Sequence, residues 1–408
     1  MKSKLVTLFA TALAVGISHA NQGLYYIGSE AQESMPLKWV VGVDLTYDDN
    51  VTPGTLVEND SVAVTPYVGV SFVNLTPQTT WDVYARLGCI YYFDEPTAIG
   101  ADDLYTQARV GINLTHRFSE RLRLSSRSFL AYELEPDYSY GFATTRQVGE
   151  YLYWQTDNAL GYRWTERLAT YTGFTITDLD YQDTDVQDRF TWSVYNQFRY
   201  QLTPQQTVLT LDYRYAETDG GSVASDSSDQ YILLGIEHRF SPNSIMIARA
   251  GAQFRDVDAG DSSSSPYAEI TLRNQLTEQL MVRAFARYGL EAYDTVQAIG
   301  TSVYDFDQRA TLRIGVSGEY SITPMFTVFS GIDFITAEMD DGRRVAGVGP
   351  LTASGYSQDL FNVYLGLSVK FMDGLYGTLS YSYTDSASDF ANQDYDRNRV
   401  SLGVRYEF

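Results

Sequence analysis

Asn398-Arg399-Val400-Ser401-Leu402-Gly403-Val404-Arg405-Tyr406-Glu407-Phe408, at the C-terminus, alternates Val400, Leu402, Val404, Tyr406 and Phe408 with Arg399, Ser401, Gly403, Arg405 and Glu407. A β-strand points successive side chains to opposite faces, so one face of this segment is apolar and the other charged or small. A strand that is greasy outside, polar inside and aromatic at its tip is the building unit of a bacterial transmembrane barrel. The same alternation recurs upstream in Phe361, Val363, Leu365, Leu367 and Val369, in Leu209, Leu211 and Tyr213, and in Val110, Ile112 and Leu114. In Arg309-Ala310-Thr311-Leu312-Arg313-Ile314-Gly315-Val316 the choice of face is forced. Turning an arginine to the bilayer midplane costs roughly 2–4 kcal/mol, so Ala310, Leu312, Ile314 and Val316 face out and the register is specified.

Tight turn signals separate these strands: Thr76-Pro77-Gln78, Ser119-Glu120-Arg121, Thr165-Glu166-Arg167, Thr203-Pro204-Gln205, Ser241-Pro242-Asn243, Thr277-Glu278-Gln279, Thr323-Pro324-Met325 and Met372-Asp373-Gly374. Two long strands and a loop rich in Asp, Ser, Gly and Thr, such as Thr218 to Ser228, lie between successive turns. A propeller blade would place four short strands in that length. One hairpin per repeat gives an all-β, up-and-down transmembrane barrel of about eighteen antiparallel strands, with both termini on the tight-turn side. Alternation is poor from Tyr132 to Trp164, and a misplaced hairpin there would leave sixteen.

The composition agrees, with 33 tyrosines, 11 prolines and a mean hydropathy of −0.23 describing a polar chain rich in strand formers. A net charge of −22 argues against nucleic acid as a partner. The start of the chain reads as a secretory signal: Lys2 and Lys4, an apolar run from Leu5 to Ile17, then Ser18-His19-Ala20 as a cleavage site. That run is shorter than the roughly 20 residues a helix needs to cross a bilayer. The expected organisation is signal peptide over 1–20, a short periplasmic segment over 21–36, too short to form a plug, and the barrel over 37–408. The expected location is the bacterial outer membrane, among its lipids and lipopolysaccharide. Trp39, Tyr47, Trp81, Tyr91, Phe118, Trp164, Phe240, Tyr320, Phe371 and Tyr406 fall at strand ends, as interfacial belts require. Gly42, Gly69, Gly88, Gly111, Gly173, Gly235, Gly251, Gly315 and Gly366 fall on the inward face, where they ease coiling and leave room for tyrosine or arginine.

Period-two reading gives the lumen an arginine-rich wall. Its pore-lining candidates are Arg109, Arg123, Arg127, Arg249, Arg273, Arg283, Arg287, Arg309 and Arg313 with Glu269, Glu319 and Asp333; Arg86, Arg199, Arg255, Arg399, Arg405, Asp44, Asp82, Asp212, Glu237 and Glu407 share the wall. The arginines either form an electrostatic path for anionic or sugar-like solutes or brace the wall by pairing with Glu269, Glu319 and Asp333, and the two roles are compatible. Inward Tyr67, Tyr84, Tyr153, Tyr195, Tyr231 and Tyr364 either offer rings to sugars or fill space beside glycine. Acidic runs at Asp183 to Asp188 and Asp256 to Asp261 lack the spacing of a calcium loop and read as solvated. His116 and His238 lie on the outer face in the matching strings His116-Arg117-Phe118 and His238-Arg239-Phe240, away from any serine–carboxylate set. No catalytic residue, metal or cofactor is expected. Cys89 reads as a small wall residue. The longest loop, roughly 17 residues from Asp340 to Tyr356, carries Arg343 and Arg344 and is not expected to act as a substantial lid.

Val43-Asp44-Leu45-Thr46-Tyr47-Asp48-Asp49-Asn50 and Tyr395-Asp396-Arg397-Asn398 running on to Phe408 resemble the two ends of the β-barrel porin type 2 family. The resemblance implies a Gram-negative outer-membrane barrel, with some relatives associated with exopolysaccharide secretion, and carries over no catalytic or binding residue. Three functions fit: a porin-like channel for passive passage of small hydrophilic, anionic solutes; an export conduit for an acidic exopolysaccharide; and a structural or surface-binding barrel with a filled lumen.

Overall fold

A strand's N–H and C=O groups point sideways, and in hydrocarbon all must be paired, which a sheet achieves only by closing on itself. A computed structural model describes residues 35–408 except 53–58, 95–101, 135–148, 183–187, 205, 222–223, 242, 259, 261, 293–294, 307 and 390–393, so the expected signal and N-terminal segment over 1–34 lie outside the described residues. The wall strands are β1 (Met35–Asp48), β2 (Ser61–Leu75), β3 (Thr79–Tyr92), β4 (Leu104–Arg117), β5 (Leu122–Glu133), β6 (Tyr151–Arg163), β7 (Leu168–Tyr181), β8 (Arg189–Thr203), β9 (Thr207–Asp219), β10 (Ser227–Ser241), β11 (Ser244–Val257), β12 (Ser263–Gln275) and β13 (Leu280–Glu291). Two short strands, β14 (Val296–Ile299) and β15 (Ser302–Phe306), precede wall strands β16 (Arg309–Ser321) and β17 (Phe326–Met339). Two more, β18 (Gly342–Gly347) and β19 (Thr352–Ala353), precede β20 (Ser357–Met372), β21 (Leu375–Ser388) and β22 (Tyr395–Glu407). The long strands form one 18-stranded antiparallel sheet, closed where β22 pairs with β1 from Arg399↔Asp48 to Glu407↔Val40, and β14, β15, β18 and β19 form a separate 4-stranded sheet. The all-β, up-and-down barrel is as expected, with eighteen wall strands rather than sixteen.

Turn chemistry explains why one end of the barrel is tight. Ser119, Thr165, Thr277 and Thr323 each lead a turn, and their hydroxyl oxygens accept hydrogen bonds from the backbone N–H groups two and three residues on, at 3.0–3.2 Å. Between β20 and β21 the turn is Asp373-Gly374, with Gly374 at φ +84°, a conformation that favours glycine. There Lys370 Nζ donates to Asp373 Oδ1 at 2.7 Å, and that bond holds the Asp373 carboxyl below its usual range.

The outer face carries the expected belts: Trp39, Trp81, Phe118, Trp164, Phe240, Phe371 and Tyr406 are all exposed at strand ends, above or below aliphatic residues such as Leu211, Ile314 and Leu365. Among the described residues the alternation weakens on β5 and β6 because Ser126, Ser128, Thr156 and Asn158 occupy outward positions. On the inner face, rings lie over glycines. A Cβ at Gly42, Gly111, Gly173, Gly315, Gly331 or Gly366 would fall inside the ring of Tyr67, Tyr84, Tyr195, Phe285, Tyr364 or Phe329 respectively, each the residue directly opposite in the register. Gly235 instead accommodates the Arg249 side chain. Replacing Gly111 by valine is expected to overpack this layer and cost about 1–3 kcal/mol, measured as a lower urea midpoint for the detergent-folded barrel. An unchanged midpoint would mean that the Tyr84 ring swings aside freely.

Candidate functional site

Ionised side chains driven inward by the outer hydrocarbon must find partners within the cylinder, since an unpaired charge removed from water is far costlier than a paired one. From β8 to β12 they do so across neighbouring strands and, for Arg199–Glu237 and Arg249–Asp212, across a strand lying between. Arg199 grips Glu237 with two bonds, Nη1 to Oε1 at 2.6 Å and Nη2 to Oε2 at 2.5 Å, and its Nη1 also donates to Gln197 Oε1 at 2.8 Å. Gln197 Nε2 donates to Asp212 Oδ1 at 2.5 Å, and Thr210 Oγ1 to Asp212 Oδ2 at 3.1 Å. Arg249 forms an ion pair with Glu269 and sits 3.5 Å from Asp212, while Tyr267 donates to Glu269 at 2.8 Å. Arg255 reaches Ser227 Oγ at 3.0 Å and Asp229 at 3.8 Å.

A denser knot lies at the loop end of β13 and β16. Arg313 donates Nε to Glu291 Oε1 at 2.9 Å and Nη2 to Oε2 at 2.8 Å, Arg309 Nη1 lies 3.5 Å from Oε2, and Arg287 pairs with Oε1. One carboxylate thus serves three guanidinium groups, two of which, Arg309 at 0% and Arg313 at 3% exposure, are sealed from solvent. The sequence reading placed Arg287, Arg309 and Arg313 inward but did not name Glu291. Its signal is the same period of two that links Arg283 and Arg287, extended to the last residue of β13, where strand gives way to loop.

The chain between Glu291 and Arg309 supplies β14 and β15 of the small sheet. The loops over 292–308 and 340–356 pair with each other as β15 with β18, from Ser302↔Gly347 to Phe306↔Gly342. Tyr304, Phe306, Met339 and Tyr356 form its buried core, with the Phe306 and Tyr356 rings edge to face at 5.2 Å. Its far side is tied to strands elsewhere on the wall. Arg189, at the loop end of β8, donates to Ala292 O at 3.1 Å and approaches Thr295 Oγ1 at 3.5 Å. Ser225, between β9 and β10, donates to Asp305 through both N and Oγ at 2.8 and 2.7 Å, and Arg343 donates to Ser225 Oγ at 3.0 Å. Loop length alone did not point to this sheet; two loops of ordinary length pool their strands into one body.

On the wall from β22 through β5 water reaches several of the charges, while Arg397 and Asp48 at the seam are buried. The Arg86 side chain is 47% exposed, 3.2 Å from Asp44, and its guanidinium lies 3.7 Å from the Tyr67 ring centre. Arg109 pairs with Glu133 at 2.6 Å, Arg399 with the buried Asp48 at 3.0 Å and Arg405 with Glu407 at 3.2 Å, the three arginines being partly exposed. Arg127 Nε donates to Asn113 Oδ1 at 3.1 Å. Arg123, Arg273, Arg283, Glu319 and Asp333 are half-buried, with Arg273 opposite Arg283 in the register and Asn362 Nδ2 3.4 Å from Asp333 Oδ2. The twelve pore-lining candidates therefore divide into a sealed set and a set that water reaches.

His116 and His238 share bonds with Thr79 Oγ1 at 2.8 Å and Thr207 Oγ1 at 3.0 Å, and their rings pack against Phe118 and Phe240. No group of three or more His, Cys, Asp or Glu among the described residues is placed to hold a metal. Residues 183–187, 259 and 261 of the two acidic runs lie outside the described residues.

A closed β-barrel with an apolar outer belt and a charged interior is the construction of a transmembrane β-barrel. No family model matches the chain, and no curated protein matches it. Solved structures with a similar course include OccAB4 of Acinetobacter baumannii, 13% identical, covering 94% of this chain and 100% of that one with a TM-score of 0.47. OpdK of Pseudomonas aeruginosa with vanillate is 15% identical over 91% and 99%, with a TM-score of 0.47. OccK2 of the same species in complex with glucuronate is 10% identical over 93% and 99%, again at 0.47.

Replacing Glu291 by glutamine leaves three guanidinium groups without their shared anion. The expected loss is about 3–5 kcal/mol of unfolding free energy, read by thermal unfolding in detergent; a loss under about 1 kcal/mol would show that these arginines relax toward water.

Proposed function

We propose that this protein is an outer-membrane, porin-like channel through which small hydrophilic, anionic solutes pass by diffusion. The observation that carries this reading is the solvent-reached guanidinium groups of Arg86, Arg109, Arg399 and Arg405 on one side of the lumen. Elsewhere on the wall Arg287, Arg309 and Arg313 share Glu291. Weak, repeated contacts suit passage, because a solute must enter each site easily and leave it easily. The reading includes export through a signal peptide over 1–20, a short periplasmic segment over 21–36, and residence among outer-membrane lipid and lipopolysaccharide, with no enzymatic activity. The remaining half-exposed candidates, Arg123, Arg127, Arg273 and Arg283, extend the same route.

A second reading, a structural barrel with a filled lumen, is favoured by the sealed network around Arg199, Arg249 and Glu291. Planar-bilayer recording separates the two, since folded protein that never conducts is a filled barrel. In a salt gradient, Arg86→Gln, Arg109→Gln and Arg405→Gln together are expected to move the reversal potential toward zero from the anion-selective side. Changing Arg283, Arg287, Arg309 and Arg313 to glutamine is expected to do the same while also lowering stability. Reversal potentials that stay fixed in both variants would leave the arginines a bracing role alone.

A further inference from the structure

On the outer face, at mid-height, strands β5 to β8 break the rule that the rest of the wall keeps. Ser126 and Ser128 on β5, Thr156 and Asn158 on β6, Thr172 on β7 and Asn196 on β8 all occupy outward positions. They bond along the surface: Ser126 Oγ to Asn158 Oδ1 at 2.6 Å, Ser128 Oγ with Thr156 Oγ1 at 2.9 Å, Asn158 Nδ2 to Thr156 Oγ1 at 2.9 Å, and Asn196 Nδ2 to Thr172 Oγ1 at 2.6 Å. The flanking strands present Val110, Ile112 and Leu114 on β4 and Leu209, Leu211 and Tyr213 on β9 at that height, and across the barrel β16 and β20 present Ile314, Val316, Leu365 and Leu367. Among the other wall strands, Ser330 on β17 is an isolated hydroxyl at this level of the outer face.

Given the transmembrane reading on which this inference rests, we propose that the face of β5 to β8 is where a second copy of this chain docks. Lipid tails satisfy neither the second hydrogen of an asparagine amide nor a hydroxyl's spare lone pair, so these residues are better matched to protein than to hydrocarbon. At mid-bilayer depth only another spanning element can reach them. The polar residues named carry no charge, and Asp178, toward the loop end of the same face, is bonded by Trp154 Nε1 at 2.8 Å, which disfavours a charged helix or a headgroup as the occupant. The polar residues fall in two groups, one on β5 and β6 and one on β7 and β8, with exposed Leu160 and Phe174 between them; together they span four strands, about 15 Å at about 4.8 Å per strand spacing, a width suited to another barrel wall rather than a single chain. Hydroxyls and amides both donate and accept, so the surface complements itself, and small Ser and Thr side chains let two walls approach closely. A copy of the same barrel brings this patch at the same height, as a closed symmetric assembly requires.

The test uses the full-length protein in its own membranes with Cys89 replaced by alanine. Thr172→Cys and Ser128→Cys are each treated with a flexible bismaleimide, with Leu365→Cys as the control on the far wall. Dimer or higher bands formed at Thr172 or Ser128 and absent at Leu365 are expected. Equal crosslinking at all three positions, monomer alone, or an adduct that mass spectrometry identifies as a different protein would each overturn the inference. Independently, Ser126→Ala, Ser128→Ala, Thr156→Val and Asn158→Leu combined should weaken self-association in nanodiscs at least tenfold, while the variant still shows the heat-dependent gel shift of a folded barrel. Unchanged association in that folded variant would also overturn it. A protein recovered outside the membrane fraction refutes the transmembrane reading itself, whereas one that is inserted but monomeric refutes only the docking face.

Discussion

Where the first strand meets the last, a sheet becomes a cylinder, and every other feature presupposes that seam. Val40 to Asp48 pair with Glu407 to Arg399, removing the exposed edges that no bilayer tolerates. Side chains seal the loop end of the seam. Arg397 and Arg399 both pair with Asp48, Asn50 Nδ2 donates to Asp396 O at 2.9 Å, and Asp49 accepts from Asn398 through N and Nδ2 at 2.6 and 2.7 Å. The Asp-Asp-Asn and Arg-Asn-Arg strings near the two ends of the chain thus meet each other across the closure.

Closure then divides the solvents. Outside, aliphatic residues between aromatic belts suit hydrocarbon; inside, guanidinium and carboxylate groups are held together. The interior is lopsided. From β8 to β16 many of the charges interlock out of reach of water, and from β22 to β5 Arg86, Arg109, Arg399 and Arg405 are partly exposed, with Arg397 and Asp48 buried at the seam.

Much of this was legible in the sequence because a period of two fixes facing without reference to any distant residue. The strand count, the outward aromatic girdles and the inward positions of Arg249, Arg309 and Arg313 follow from alternation and turn residues alone. Facing, however, does not tell what lies opposite. Whether an inward arginine is sealed or wet depends on cross-strand neighbours and on the small sheet, whose strands pair loops about 40 residues apart in the chain. Glu291 escaped notice for a related reason, because it stands where the periodic signal stops. Of the weakly alternating stretch from Tyr132 to Trp164, residues 135–148 lie outside the described residues, and on β6 the outward Thr156 and Asn158 interrupt the apolar face.

The rings laid over glycines have a mechanical meaning. Alternation forbids neighbouring staves from sliding by one residue, because that would invert their faces, but it is silent about sliding by two. A two-residue slide would carry Tyr67 off Gly42 and onto Val40 or Asp44, and the equivalent shift would strand Tyr84, Tyr195, Phe285 and Tyr364 against side chains where each now has a hollow. These pairs act as detents, so the tilt of the staves, and with it the bore of the cylinder, is locked by a handful of missing β-carbons.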